Sequence, residues 1–207
     1  MLLREHAEID FPAGPSEIGV LADDSANPAF IAADILAQAE HDPNAACVLV
    51  TTSERIAQDV GVEIEKQIEF APRREIMEKA LSHSGFVIAV DQDKAIDLMN
   101  EIAPEHLSIQ TVDPLATLGR IRHAGSIFIG PYTPVACGDY ASGTNHVLPT
   151  AGYAKSYSAL DVHHFLKRSQ VQMVTKEGLE TIGDIVEILA EAEGLAAHAA
   201  SVTIRRT

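Results

Sequence analysis

The chain has 207 residues, 46% of them hydrophobic, which is enough for one large domain or for a domain with an appendage. Its 30 acidic and 15 basic residues give a net charge of −15, which disfavours nucleic acid and anionic membrane surfaces as partners, because both attract clustered lysine and arginine. No apolar run approaches the roughly 18 residues of a membrane span. With only two cysteines, Cys47 and Cys137, and no recognisable signal peptide, we expect a cytoplasmic protein with reduced thiols and no cysteine-rich zinc site.

Over roughly the first 130 residues, segments with the hydrophobic pattern of a strand alternate with segments that have the pattern of a helix. Short apolar, β-branched runs predict buried strands at Ile18–Ala22, Cys47–Thr51, Phe86–Val90, His106–Gln110 and Gly125–Gly130. Five helices are predicted among these strands, with starts at Pro28 after the N-cap Asn27, Ser53, Pro72, Asp91 and Asp113. The last of them is expected to run to about His123. This order predicts an α/β fold, which we expect to be an incomplete Rossmann-like parallel sheet with helices on both faces.

The pattern changes after the last of these strands. No period holds from Pro131 to about Ala159, and irregular segments of this length inside a domain are usually functional. The sequence then predicts a short helix near Asp161–Lys167, a strand near Val171–Val174 and a helix from Lys176 to about Ala200 that Gly194 interrupts. We therefore predict two domains: residues 1–160, an α/β domain that carries the chemistry, and residues 161–207, a helical C-terminal arm suited to a dimer contact.

Gln38 and His41 are three positions apart on the last turn of a predicted helix, so their side chains share one face. They are either a pair of metal or substrate ligands or a helix-terminal histidine that interacts with the helix dipole. Glu105 and His106 stand side by side where a helix joins a strand, in what we expect to be the crevice where α/β folds place ligands. Their spacing fits either general acid–base chemistry or a solvated turn.

The glycine-rich segment from Gly138 to His146 contains Asp139 and is either a ligand-binding loop or a solvated Ω-loop. It is not a dinucleotide fingerprint, because no Gly-x-Gly-x-x-Gly stands between a strand and a helix. His198 taken alone is a surface histidine of a helix. If these weak signals meet in space, their oxygen and nitrogen donors suit Zn²⁺ or a similar divalent metal.

At these same residues the sequence resembles histidinol dehydrogenase, over essentially the whole chain and matching only the C-terminal half of the family's chain. Five separate motifs in the family's order carry the resemblance: Pro12–Glu17, Leu36–Pro43, Ala103–Leu107, Gly138–Thr150 and Glu193–His198. The resemblance implies a homodimer that oxidises L-histidinol to L-histidine in two NAD⁺-dependent steps, with one zinc ion in each site.

The resemblance also implies the roles of individual residues. Glu105 and His106 match the catalytic acid–base pair. The implied zinc ligands are Gln38, His41, Asp139 and His198, and the last of these belongs to a C-terminal arm that reaches the partner subunit's site. The implied substrate-contacting set is Ser16, Gln38, His41, His106, Asp139, Glu193 and His198. The role of His146 stays open.

These implied roles agree with simple chemistry. Zinc can orient the amino alcohol through its amine and imidazole nitrogens. An imidazole that titrates near neutrality can take the hydroxyl proton in the first oxidation, which suits His106, and Glu105 can activate the water that the second oxidation needs. Cys47 and Cys137 lie outside the five motifs, so we expect no thiohemiacetal.

The N-terminal half of the family, which supplies most nucleotide contacts, is not represented, and we predict no cofactor-binding residue in this chain. Leu2–His6 reads as the end of a helix. The chain is therefore either a fragment, a split gene product or a reduced protein. Two functions remain open: the catalytic half of an enzyme, which works with an N-terminal half supplied in trans, or a zinc- and histidinol-binding subunit without NAD turnover of its own.

Overall fold

The protein is described here from a computed structural model, which covers residues 10–206. The helix end expected at Leu2–His6 lies outside the described residues. The chain divides into two compact units, of which the first ends at Phe165 and the second begins at Leu166. No helix between residues 10 and 206 has the length and apolar character needed to cross a membrane.

The first unit is built on a five-stranded parallel sheet with the strand order β3-β2-β1-β4-β5. The strands are β1 (Glu17–Ala22), β2 (Ala46–Thr51), β3 (Gly85–Ile88), β4 (His106–Gln110) and β5 (Ser126–Ile129). The helices of this unit are α1 (Pro28–Ala39), α2 (Glu54–Ile68), α3 (Arg74–Leu81), α4 (Gln92–Ile102), α5 (Pro114–Leu118) and α6 (Val135–Tyr140). The predicted α/β class and parallel sheet are confirmed.

Alternation along the central strands gives the sheet two buried faces. Ile18 and Val20 of β1 join the core formed with α1, α2 and α3, whereas Leu21 points to the other face and packs with α4. In β4, Leu107 and Ile109 belong to the α4 face. The polar residues that alternate with them, His106, Ser108 and Gln110, therefore point to the α1 face.

Helix starts agree with the sequence because capping is a local interaction. The side chain of Asn27 accepts the N–H of Ala29, and Ser53 accepts the N–H of Ile56. Asp91 and Asp113 cap α4 and α5 in the same way. The α4 helix ends at Ile102, its C-cap Ala103 adopts a left-handed conformation, and the following Pro104 cannot continue a helix.

Three expectations about individual elements were wrong. β3 is not a buried strand but an exposed edge strand, because β2 is its one partner within the described residues. The helix that begins at Pro114 ends at Leu118 and does not reach His123. Val171–Val174 is not a strand: its side chains are exposed, and no strand of the described sheet pairs with it.

The irregular segment after β5 contains α6, which sequence periodicity did not reveal, and a 3-10 helix at Tyr153–Lys155. A second 3-10 helix, Val162–Phe165, stands where a short helix was predicted. The second unit is an antiparallel pair of helices, α7 (Lys176–Ala192) and α8 (Ala196–Arg206). Between them Gly194 adopts φ = +76°, so the predicted interruption is confirmed.

One basic side chain of α8 contacts three acidic residues of α7. Arg206 of α8 ion-pairs with Asp184 of α7 at 2.7 Å and lies within 3.5 Å of Glu180 and Glu187. Its stem packs on Gly183, where an added Cβ would come within 2.6 Å of the arginine side chain. A larger residue at position 183 would therefore push the arginine away from its acidic partners.

Candidate active site

The candidate site lies where β1 and β4 begin. The two strands are parallel neighbours, and Ile18 pairs with His106, so the residues that precede each strand meet at one end of the sheet. Ser16 and Glu17 stand beside Glu105 there. The expectation that Glu105 and His106 lie in the crevice where α/β folds place ligands was therefore wrong, because that crevice is at the carboxyl ends of the strands and a junction from helix to strand lies at the amino end.

The Glu105 carboxylate is buried, with 6% of its surface exposed, and is held by three polar neighbours. Its Oε2 accepts the hydroxyl of Ser16 at 2.5 Å and the backbone N–H of Glu17 at 2.9 Å. The same oxygen lies 3.4 Å from Nδ1 of His106. A buried carboxylate with two donors remains available as an acceptor beside an imidazole.

The Ser16 hydroxyl fixes the orientation of the Gln38 side chain. An ionised carboxylate can only accept, so Ser16 donates its proton to Glu105 and its oxygen is left to accept. Nε2 of Gln38 donates to that oxygen at 2.6 Å. Oε1 of Gln38 must then point the other way, and it is buried without a hydrogen-bond partner in the described structure. Leaving such an acceptor unpaired costs about 1–3 kcal/mol, which indicates a missing ligand.

His106 is buried as well, with 5% of its surface exposed. Its Nδ1 lies 3.1 Å from the carbonyl oxygen of Glu17, and its ring lies 6.0 Å from the ring of Phe128 on β5. The Glu105 backbone is also held: its carbonyl accepts the N–H of Ser126 at 2.8 Å. A Cβ at Gly125 would come within 2.6 Å of that carbonyl oxygen, so this close approach requires glycine.

Sequence reasoning missed two acids beside this cluster, Glu17 and Asp34. Asp34 lies on α1 one turn before Gln38 and is buried. Burial raises the pKa of Asp34 to about 6, although the N–H of Val135 and the hydroxyl of Ser108 donate to it and lower the pKa. The available signal was an acidic residue on the apolar stripe of α1, directly before Ile35.

The remaining predicted site residues are not joined to the buried cluster by side-chain hydrogen bonds. His41 is exposed just after α1, Asp139 is half-buried on α6, and His146 is exposed in the loop that follows. The start of α6 contacts α1 through Val135 and Asp34, which brings the helix of Asp139 against the helix of Gln38. Glu193 and His198 are exposed residues of the second unit.

Residues 10–206 contain no group of three or more histidine, cysteine, aspartate or glutamate side chains placed to hold a metal. This agrees with the composition of the predicted zinc ligands: the first unit contributes only two side chains of these types, His41 and Asp139, together with the amide oxygen of Gln38. The unpaired Oε1 of Gln38 is what a metal ligand requires, so these residues fit a divalent cation. Cys47 is a poor nucleophile at neutral pH, because burial raises the pKa of its thiol to about 11.

An α/β sheet with a buried carboxylate–imidazole pair at one end is typical of enzymes that move protons by general acid–base catalysis. A family model described as histidinol dehydrogenase matches residues 1–206. The chain belongs to the histidinol dehydrogenase family.

Individual relatives agree with this assignment. The chain is 56% identical to histidinol dehydrogenase of Methanosarcina mazei over 99% of its length and 53% identical to that of Methanocaldococcus jannaschii over 95%. The crystal structure of histidinol dehydrogenase from Elizabethkingia anophelis matches 95% of the chain with a TM-score of 0.93 and 44% identity. These matches cover 47%, 46% and 45% of the respective relatives, so the chain spans about half of their length.

Proposed function

We propose that this chain is the zinc-binding, catalytic half of a cytoplasmic histidinol dehydrogenase, which oxidises L-histidinol to L-histidine with two NAD⁺ in histidine biosynthesis. The observation that carries the proposal is the line of hydrogen bonds from the buried Gln38 through Ser16 to the buried Glu105, with His106 beside it. This line combines an unpaired metal-type oxygen with an acid–base pair. A purely structural cluster would have no need of either.

The zinc ligands proposed from the resemblance are Gln38, His41, Asp139 and a His198 from the partner subunit. When bound, the metal supplies charge and a fixed position for the nitrogen atoms of the amino alcohol. Gln38 is prepared for this role, because Ser16 already holds its amide nitrogen and directs its oxygen away. The substrate-contacting residues that we propose are Ser16, Gln38, His41, His106, Asp139, Glu193 and His198.

His106 and Glu105 divide the proton transfers between them. When bound, NAD⁺ would supply the hydride acceptor for both oxidations. In the first oxidation the hydroxyl proton would pass to the imidazole of His106. In the second, Glu105 would take one proton from the water that adds to the aldehyde, and the remaining hydroxyl proton would be released as the carboxylate forms. Burial of both groups excludes bulk water from the proton transfers.

The alternative is a zinc- and histidinol-binding subunit without NAD turnover of its own, and the half-length match to the relatives favours it for this chain alone. A test mixes the 207-residue chain with the N-terminal half of the Methanosarcina mazei relative and follows NADH absorbance with histidinol. We expect no turnover by the chain alone, because an acceptor that is not held cannot reach a reactive geometry, and turnover in the mixture.

The acid–base pair provides the internal control of this test. His106→Asn should lower the kcat of the mixture on the order of 10²–10⁴-fold, whereas His83→Asn, at an exposed position of the same unit, should preserve it. Zinc and histidinol binding by calorimetry, with no turnover in any mixture, would support the binding subunit. A kcat that His106→Asn leaves unchanged contradicts the proposed mechanism.

We also propose a homodimer with shared active sites, built through the C-terminal arm. The helix α7 exposes a stripe of large apolar side chains, including Ile185, Ile188 and Leu189, each at least 60% exposed. Apolar side chains in this arrangement are typical of a surface that packs against another subunit. We expect no nucleic acid and no membrane among the partners.

A further inference from the structure

Glu17, the first residue of β1, contacts both members of the acid–base pair through its main chain. Its N–H donates to Oε2 of Glu105 at 2.9 Å, and its carbonyl oxygen lies 3.1 Å from Nδ1 of His106. Both contacts come from one residue at the start of one strand. The spacing between the carboxylate and the imidazole is therefore set by the backbone of β1.

The carbonyl of Glu17 decides which nitrogen of His106 carries the proton. A carbonyl oxygen can only accept, so this hydrogen bond exists only when Nδ1 is protonated. Oε2 of Glu105 lies farther from Nδ1, at 3.4 Å, and is a second acceptor-only neighbour. In the neutral imidazole, the proton on Nδ1 leaves Nε2 with a free lone pair, which is the form that a general base requires.

The side chain of Glu17 holds this carbonyl in place. Its Oε1 accepts the N–H of Glu105 at 3.3 Å, and the N–H groups of Ala151 and Gly152 also donate to the carboxylate. The start of β1 is thereby tied to the start of β4 and to the turn at residues 151–152. Desolvation raises the pKa of Glu17, and the nearby Glu105 charge adds to the rise, while the N–H donors oppose it.

We infer that Glu17 is a positioning residue that fixes His106 in the Nδ1–H tautomer through its main-chain carbonyl and keeps that carbonyl in register through its carboxylate. This inference deepens the proposed function, on which its catalytic meaning rests. The tautomer itself is a property of the chain without metal, substrate or nucleotide. It can therefore be measured separately from any activity.

The test is ¹⁵N NMR of the imidazole nitrogens in the full 207-residue chain, at a pH where His106 is neutral. The expected spectrum has a pyrrole-type Nδ1 and a pyridine-type Nε2 for His106. A pyridine-type Nδ1 overturns the inference. Amide spectra of each variant report whether the fold is retained, and the wild-type result stands even if a variant fails to fold.

Two variants separate the contributions of the neighbouring acceptors. Glu105→Gln should leave the Nδ1–H tautomer in place, because the Glu17 carbonyl remains; loss of the tautomer in this variant would assign the role to Glu105 and overturn the inference. Glu17→Ala removes the carboxylate that keeps the carbonyl in place and should move the two nitrogen shifts toward the averaged values of a tautomer mixture. A Glu17→Ala spectrum identical to the wild type overturns the positioning role of the carboxylate. Glu101→Gln, an exposed change on α4, is the matched control.

Activity then distinguishes this inference from the proposed function. In a mixture that turns over, Glu17→Ala should lower kcat roughly tenfold with little change in KM, since the base is mispositioned while the binding groups remain. The Nδ1–H tautomer without any histidinol binding would contradict the proposed function alone. Histidinol turnover with the opposite tautomer would contradict the role of Glu17 alone.

Discussion

The two ends of the parallel sheet differ in how their polar groups are satisfied. At the carboxyl ends of β1 and β4 a cleft of about 310 Å³ is lined by residues that already pair with one another. Asp23 accepts the N–H of Val112 at 2.7 Å, Thr111 and Thr117 share a hydrogen bond, and Arg120 pairs with Asp93. This is where the fold class usually places a ligand.

The amino ends of the same two strands show the opposite condition. Glu105 and His106 are almost completely buried, and Oε1 of Gln38 has no partner among the described residues. Burying polar groups in this way is costly unless a ligand completes them. We therefore place the proposed site at the buried end with an unpaired acceptor, and not at the end that the fold class favours.

The largest expected effect is on turnover in the mixture with an N-terminal half. Glu105→Gln and His106→Asn at the amino end should each lower kcat on the order of 10²–10⁴-fold, the usual worth of a positioned acid or base. Asp23→Asn and Arg120→Ala at the carboxyl end should change it less than about twofold. The check is steady-state kinetics of the four variants. A larger loss of kcat in the two carboxyl-end variants would contradict a site at the amino end.

Asp34 predicts a pH dependence of stability that an exposed acid does not share. Its folded pKa of about 6 lies above its unfolded value near 3.9, so the folded state holds the extra proton between these values. The stabilisation from this proton is present below pH 4. As the pH rises through 6 it is lost, and the free energy of unfolding falls by about 3 kcal/mol. Asp34→Asn should therefore be more stable than wild type at pH 8, by denaturant unfolding. The same change at the exposed Asp97 should have little effect at either pH.

The Ser16 hydroxyl should control metal affinity without touching the metal. Ser16→Ala removes the acceptor of Gln38 Nε2, so the amide can turn and its oxygen is no longer directed to the ligand position. We expect zinc affinity to fall about 10–100-fold, the usual cost of losing a group that orients a ligand. Ser25→Ala, in the exposed turn after β1, is the control, and equal zinc affinities by calorimetry would contradict the orientation argument.

A smaller effect is expected on assembly, because apolar packing of the arm does not depend on metal. If His198 completes a site of the partner subunit, dimerisation and zinc binding are linked. His198→Ala should weaken the dimer roughly tenfold with zinc present and leave it unchanged with chelator. Sedimentation under both conditions decides: a dimer indifferent to zinc rejects the linkage, and a monomer throughout rejects the shared site.

Local features of this molecule could be predicted from the sequence, whereas the site's location could not. Asn27, Ser53 and Asp91 cap helices within three residues of themselves, so their roles are visible in a short window. The hydrogen bond between Ser16 and Glu105 joins residues that are 89 positions apart in the sequence. It forms because β1 and β4 are neighbours in the sheet, and hydrophobic periodicity does not reveal which strands are neighbours. The exposure of β3 depends on strand order for the same reason.

The candidate residues divide along the same line. Glu105 and His106 could be singled out from their adjacency, and Gln38 from its place on a helix end. Glu17 was missed because a glutamate at a strand start carries no spacing signal of its own, and Asp34 was missed although it lies on the apolar stripe of α1. Their importance appears only when burial and hydrogen bonds are known.

We propose that the amino ends of β1 and β4 form the substrate site. The most direct test is to titrate the ¹⁵N-labelled chain with zinc and L-histidinol and to map the backbone amides that shift. We expect shifts at Ser16, Gln38 and His106 and none at Asp23 or Val112, and we expect Gln38→Ala to suppress them. Shifts confined to the carboxyl-end cleft, or none at saturating zinc and histidinol, would contradict it.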